Sequence, residues 1–443
     1  MLMQQESFTS AQAICRKLLA QKPGDFNARH LLGVIMMRAG NPLSACKELQ
    51  KAAALPVADR FRAQALSNLS LALQQRDRFD AALEAIEQAL ALSPAEAAFQ
   101  INRLYLLEQL EHWPAVIDTL EQTPGLAEVE EIQPLLARAE RHTGRTHRAL
   151  ARLEACMANG ISDTEILGEY LLLNPEALPA QLESLSEPQL EHLADYLAEE
   201  GALERALPLY RRLLELNPAN AAARHMVDAA EGRLAEQAPD QYVRELYNTH
   251  AEKFEQQLVG RLHYRAPEQL TSALAKHLPD QLGRVADLGC GSGLLGQSLT
   301  AGFQIDYLAG CDLSEGMLAQ ARSKAVYTQL EQANLLHWLQ DQQPFELICA
   351  TDVLIYIGDL GPVMHASHGA LLEDGLFAFT VEAADNEALE LGKSGRYRHS
   401  EAHIKQRASE AGLTVISCTT FPLREEQGKM QQGLMALCRK SCA

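Results

Sequence analysis

The stretch VADLGCGSGLLG, Val285 to Gly296, decides how the chain is read. Val285, Ala286 and Leu288 form a short apolar run, glycines follow at 289, 291 and 293, and LLGQSL then resumes with helical spacing. The change of period predicts a strand, a tight turn and a helix. Glycine suits such a turn because it accepts positive φ and lets a ligand approach the backbone with no Cβ in the way. Free amides at the helix start favour an anionic ligand group. Gly291, Gly293 and Gly296 also match the G-x-G-x-x-G spacing of dinucleotide sites, a short pattern that does not identify the ligand by itself.

Asp287 separates the ligand classes. At the strand's end, two residues before the first glycine, it would set a carboxylate against a pyrophosphate, whereas it suits a cationic ligand. DLGCGSG resembles the first motif of class I S-adenosylmethionine (AdoMet) methyltransferases. The resemblance implies a donor that carries an amino group and a sulfonium, held in part by Asp287, Gly289, Gly291 and Gly293.

With 443 residues the chain has room for two or three domains. A formal net charge of −19, spread through both halves, argues against general binding to nucleic acid or an anionic membrane, and leaves room for a local basic groove. Nine cysteines occur without a C-x-x-C pair, and no apolar run reaches the roughly 18 residues of a membrane span. The amino terminus, MLMQQESFTSAQAICRK, lacks a basic region followed by an apolar core, so a cytoplasmic location is expected.

The first half repeats with the 34-residue period of tetratricopeptide units. Leu66, Leu69, Ser70, Leu73, Ala82, Ile86, Ala89 and Pro94 fill one unit, Leu32, Gly33, Met36, Ala45, Leu49 and Ala52 the unit before it. Another lies at Leu190, Leu193, Ala194, Leu197, Ala206, Tyr210, Leu213 and Pro218. Between them the pattern frays around Trp113 and from Ile161 to Ser186. Small residues let paired helices approach closely, and proline ends the second helix of each pair, which predicts a curved solenoid with a capping helix over Ala222 to Leu234. Its concave face suits a protein or peptide partner.

In the second half, YNTHAEKFEQQL resembles the amphipathic segment that precedes the first motif in small AdoMet methyltransferases, a likeness carried by Tyr247, His250 and Phe254. Tyr264 and Arg265 follow; either they lie over the cofactor, with Arg265 on its carboxylate, or they are a packing tyrosine and a surface arginine. IDYLAGCDLSEGML predicts a second strand ending at Asp312, 23 residues beyond Gly289, where an acid can accept hydrogen bonds from ribose hydroxyls. Leu313 and Met317 are then expected beside the adenine. The third strand, YTQLEQANL, reaches Asn334 and Leu335, and the resemblance implies that Asn334 replaces the usual aspartate at the adenine amino group. FELICATDVLIYI predicts a fourth strand carrying Thr351, Asp352 and Tyr356 at the ligand-binding edge. A fifth strand ends at Glu382, and GLTVISCTTFPL with GLMALCRK predicts a terminal hairpin. LGKSGRYRHS reads as a loop whose Arg396, Tyr397 and His399 either clamp an anionic acceptor or are solvated. His365 and His368 read as non-metal, since no carboxylate or cysteine joins them.

The chain as a whole resembles bacterial proteins in which a tetratricopeptide array precedes a class I methyltransferase domain. The expected architecture is an all-α tetratricopeptide-like solenoid over 1–235, a linker over 236–241, and an α/β Rossmann-like domain over 242–443 with a seven-stranded mixed sheet and an antiparallel C-terminal hairpin. None of the expected cofactor contacts comes from the array, so a chain starting near Gln241 is expected to fold and bind alone. The resemblance implies AdoMet-dependent methyl transfer, yielding S-adenosylhomocysteine without a metal, with a protein or protein-bound acceptor recruited by the array. The alternatives are a small-molecule methyltransferase whose array serves assembly or regulation, and a non-catalytic AdoMet-binding adaptor. Methyl transfer needs alignment more than a nucleophile, and His250, Asp352 or His399 would serve as base only for an acceptor that arrives protonated.

Overall fold

The structure, a computed structural model, describes residues 2–76, 78–160, 163–177, 185–250, 264–385, 389–426 and 429–441. Its contacts divide the chain into two compact units, Met1–Asn174 and Pro175–Ala443. The expected linker at 236–241 is not the dividing point, and the helices of the last full repeat belong to the second unit.

In the first unit, helices pair across short turns: Phe26–Arg38 with Pro42–Ala53, and Asp59–Gln74 with Phe79–Leu92. Local sequence starts them: the Asp25 side chain accepts from the Ala28 amide, and the Asn41 side chain from the Ser44 amide just before Pro42. The small residues of the repeat pattern sit where the partners touch. A Cβ on Gly33 would stand 2.6 Å from Leu49 Cγ, and Ala45, Leu49, Ala82, Ile86 and Ala89 are fully buried. First helices of successive pairs, the next being Ala97–Gln109, are joined by His30 to Asn68 and Gln74 to Asn102, both at 2.7 Å. Leu31, Phe61, Leu71 and Tyr105 are exposed on these same first helices.

The second unit opens with helices Glu187–Glu199, Leu203–Leu216, Ala221–Glu231 and Asp240–His250, continues with Ala266–Leu274, and then builds a sheet. Its strands are β1 (Gln281–Leu288), β2 (Gln304–Asp312), β3 (Gln329–Gln332), β4 (Phe345–Ala350), β5 (Leu371–Ala383), β6 (Glu390–Leu391), β7 (Tyr397–His399), β8 (Leu413–Glu426) and β9 (Lys429–Lys440). They run in the order β3-β2-β1-β4-β5-β7-β6, with β9 pairing β5 and β8. β1 to β5 are parallel to their neighbours along this path, whereas β9 is antiparallel to both its partners. Both faces are covered, which is why β4 from Leu347 and β5 from Gly375 are buried continuously instead of alternately.

Three expectations are corrected here. The sheet has nine strands among the described residues, not seven, because LGKSGRYRHS is no loop: β6 and β7 form a small hairpin within it. The fourth strand stops at Ala350, because Asp352 takes φ 52°, a left-handed conformation that breaks the extended run. The supposed linker is tied down, for the Glu236 carbonyl accepts from the Gly358 and Asp359 amides at 2.8 and 3.0 Å.

Candidate functional site

In the parallel part of the sheet, the order reverses between β1 and β4, and ligands of such sheets bind outside the carboxyl ends of the strands at that point. The glycine turn lies there. Gly289, Gly291 and Gly293 all have positive φ, at 60°, 53° and 89°. Their neighbours differ: a Cβ on Gly289 would strike Val353 at 2.3 Å, and one on Gly293 would meet Tyr327 at 3.0 Å, but nothing lies within 4 Å of the position a Cβ would take on Gly291. Open space at Gly291 is where a ligand can approach the backbone.

Asp287 stands below the turn, only 1% exposed. Its Oδ2 accepts from the Tyr327 hydroxyl at 2.6 Å, whereas Oδ1 has no hydrogen-bond partner among the described residues. Burial outweighs the help of Tyr327 and pushes the carboxyl pKa up to about 7, with nearby Asp312 adding to the rise. Nothing in the sequence around Asp287 points to Tyr327, 40 residues away. Its ring lies against Gly293, Gly296 and Gly310, each of whose Cβ would approach it to 3.0 Å or less.

Asp312, at the end of β2, accepts from the Gly291 amide at 2.9 Å and the Ser314 amide at 2.8 Å, so it braces the turn besides being open to ribose through its remaining lone pairs. Leu313 is half-buried next to it, whereas Met317 is fully buried in the helix behind, which corrects the expectation of an adenine contact for that side chain. Asn334 caps helix Leu335–Gln340: its Oδ1 accepts from the Leu336 amide, and its Nδ2 donates to Asp240 at 2.9 Å. Leu335 is half-buried.

Helix Asp240–His250 contributes more than the expected Tyr247. Asn248 Oδ1 accepts from the Ser314 hydroxyl at 2.7 Å, and the hydroxyls of Tyr247 and Tyr356 are 3.1 Å apart with their rings edge-on. Tyr264 is buried near Thr351, while Arg265 is exposed. Phe254 and the His250 side chain lie outside the described residues.

At the ends of β4 and β5 the expected catalytic residues take structural places instead. Asp352 pairs with the buried Arg424 at 3.1 Å and exchanges hydrogen bonds with Thr380; burial raises its pKa and Arg424 opposes the rise, so the carboxylate is a held group, not a poised base. Arg424 also grips Glu382, which Arg396 and Arg398 approach to 3.6 Å. Tyr397 is fully buried and donates to the Ala235 carbonyl at 3.0 Å. His399 is buried as well, with Nε2 at 2.9 Å from the Ile357 carbonyl, and burial lowers its pKa to about 4. Neither can face an acceptor. Arg396 and Arg398 alternate with them and keep partial exposure, at 27% and 30%.

Among the described residues no group of three His, Cys, Asp or Glu could hold a metal, and no helix is long and apolar enough to cross a membrane. The site fits AdoMet: an unpartnered buried carboxylate oxygen for its amino group, open space over Gly291, and Asp312 at the distance along the chain that ribose binding requires. Affinity for AdoMet is expected to rise about tenfold between pH of about 6 and about 8, because the cation selects the ionised form of a carboxyl whose pKa is about 7. Calorimetry at several pH values checks this; Asp287→Asn should flatten the profile.

Residues 285–375 match a family model described as a methyltransferase domain. Similar curated proteins include the trans-aconitate 2-methyltransferases of Pseudomonas aeruginosa and Variovorax paradoxus. The first is 31% identical over 119 residues, 27% of this chain and 42% of the relative. The second is 31% identical over 106 residues, 24% of this chain and 40% of the relative. The chain thus spans less than half the length of these relatives. Among solved structures, magnesium protoporphyrin IX methyltransferase of Synechocystis PCC 6803 with bound SAH is 16% identical, with 46% of this chain and 99% of that one covered and a TM-score of 0.36. A DhpI–SAH complex is 19% identical, with 46% and 98% covered and the same TM-score of 0.36.

Proposed function

We propose that the chain is an AdoMet-dependent methyltransferase. The observation that carries this reading is the buried Asp287 oxygen without a partner beneath the open glycine turn. A cation there would both satisfy the oxygen and hold the carboxyl ionised. Bound at the turn, AdoMet would supply a methyl group activated by its sulfonium. Asp287 would hold the amino group, Asp312 the ribose, and Asn334 with Leu313 the adenine side. Tyr247, Tyr264 and Tyr356 would exclude water, which methyl transfer needs more than it needs a base.

The acceptor we favour is a protein or protein-bound group recruited by the first unit, read as a tetratricopeptide-like array. Leu31, Phe61, Leu71 and Tyr105, exposed on successive first helices, would suit a peptide partner. The second reading is a small carboxylate, for which Arg396 and Arg398 near the carboxyl edge, and relatives named for trans-aconitate, speak. Incubating the full chain with a cell extract and AdoMet bearing a deuterated methyl group separates the two. Label in the protein fraction is expected; label only in small molecules would favour the second reading, and none in either would favour an adaptor.

A further inference from the structure

We propose that helices Leu203–Leu216 and Ala221–Glu231 are a positioning element of the methyl-transfer site, and that His225 is the residue through which they set it. This rests on the methyltransferase reading above. The element acts on the β6–β7 hairpin, whose strands are two and three residues long, too short to hold a geometry unaided. Within the hairpin, the Gly392 amide donates to the Arg396 carbonyl at 2.8 Å and the Gly395 amide to the Gly392 carbonyl at 2.9 Å. β7 is also paired with β5, Arg398 opposite Glu382 and His399 opposite Ala383, whereas the turn between β6 and β7 is held by the helices. His225, buried in helix Ala221–Glu231, sits with Nε2 2.7 Å from the Gly395 carbonyl. A carbonyl only accepts, so Nε2 carries the proton.

Gly395 has φ 74°, and a Cβ there would lie 3.0 Å from Met226 Sδ, 3.2 Å from the Tyr242 hydroxyl and 3.4 Å from His225 Nε2. The turn is therefore seated in a pocket made by His225, Met226 and Tyr242. Lys393 and Glu204 add an ion pair at 2.7 Å, both side chains largely exposed and so of small energetic weight. Arg396 follows Gly395 directly, and Arg398 lies two residues on. Both reach Glu382, which shares Arg424 with Asp352 at the end of β4. An unbroken line of contacts thus runs from helix Ala221–Glu231, which follows the last repeat, to the carboxyl edge of the sheet. Moving the Gly395 carbonyl moves the arginines.

The test compares wild type with His225→Ala, His225→Gln and Gly395→Ala in the full chain. Calorimetry with S-adenosylhomocysteine, amide hydrogen exchange over 390–399, and the initial rate of label transfer from AdoMet into a cell extract are measured. Expected for His225→Ala are faster exchange at Gly392 and Gly395 by about tenfold or more, S-adenosylhomocysteine affinity within about twofold, and label transfer lowered about tenfold, mostly at limiting extract. His225→Gln, which keeps a donor, should recover part of both losses, and Gly395→Ala should reproduce them from the other side of the contact. Unchanged hairpin exchange in His225→Ala, or a loss of S-adenosylhomocysteine affinity as large as the loss of rate, would overturn the proposal. If His225→Ala does not fold, Gly395→Ala decides by the same readouts. If the wild type transfers no label, the methyltransferase reading fails, while the exchange comparison still decides whether His225 holds the hairpin.

Discussion

Asp312→Ala is expected to weaken S-adenosylhomocysteine binding by about a hundredfold or more, the largest effect of any single substitution in the site. The aspartate does two things at once. Its oxygens accept from the Gly291 and Ser314 amides at 2.9 and 2.8 Å, and it is the acceptor expected for the ribose. Hydrogen bonds to a charged group contribute about 1.5 to 3 kcal/mol each, so losing the ribose contact and loosening the turn together cost about 3 kcal/mol or more, two decades in affinity. Asp312→Asn, which can accept at one oxygen only, should fall between. Calorimetry on both variants checks the order, and wild-type affinity in Asp312→Ala would show that the ribose lies elsewhere.

A chain beginning at Gln241 is expected to lose its cooperative fold, or to melt about 10 °C or more below one beginning at Pro175. This reverses what the sequence implies, and the reason is the cover that the shorter chain lacks. Removing the preceding helices takes away the partners of the Gly395 carbonyl, the Tyr397 hydroxyl and the Gly358, Asp359 and Tyr356 backbone groups. It also uncovers Tyr356 and Tyr397, which are 5% and 0% exposed in the whole chain. Uncovering two aromatic side chains and orphaning several hydrogen bonds costs about 4 to 6 kcal/mol, a large part of the 5 to 15 kcal/mol by which domains are stable. At about 2 to 4 °C per kcal/mol for a domain of this size, the melting temperature is the natural readout. Equal melting of the two chains would mean that the helices rest on the sheet domain without stabilising it.

What could be read from the sequence follows the range of the interactions. The turn at 289–293, Asp287 and Asp312 were legible because strand, glycines and acid lie close together along the chain. The paired helices of the first unit were legible because apolar and small residues recur there at helical spacing. Tyr327 was not, for nothing local shows that a ring 40 residues from Asp287 will donate to it. Arg424 was hidden likewise, since its partner Asp352 is 72 residues away and it sits in a run that reads as a polar connection. RYRH does carry a local signal: Tyr397 and His399 are buried while the arginines between and before them keep some exposure, the two-residue period of a strand. Basic residues suggested a loop, yet their apolar stems can lie along a sheet edge while the charged heads stay near water.

The glycine turn also bears on descent. A lineage that stopped using the ligand would still need glycine at 289, 293 and 296, because Val353 and Tyr327 occupy the room a side chain would take, whether or not anything binds. Gly291 alone has no such neighbour, and its φ of 53° is one that asparagine or aspartate adopts at modest cost. Once released from the ligand it would be the first of the four to drift. Among descendants of this chain, the residue at 291 is therefore the informative one: glycine there marks binding still under selection, and an asparagine or a larger residue marks a turn kept only for its own packing.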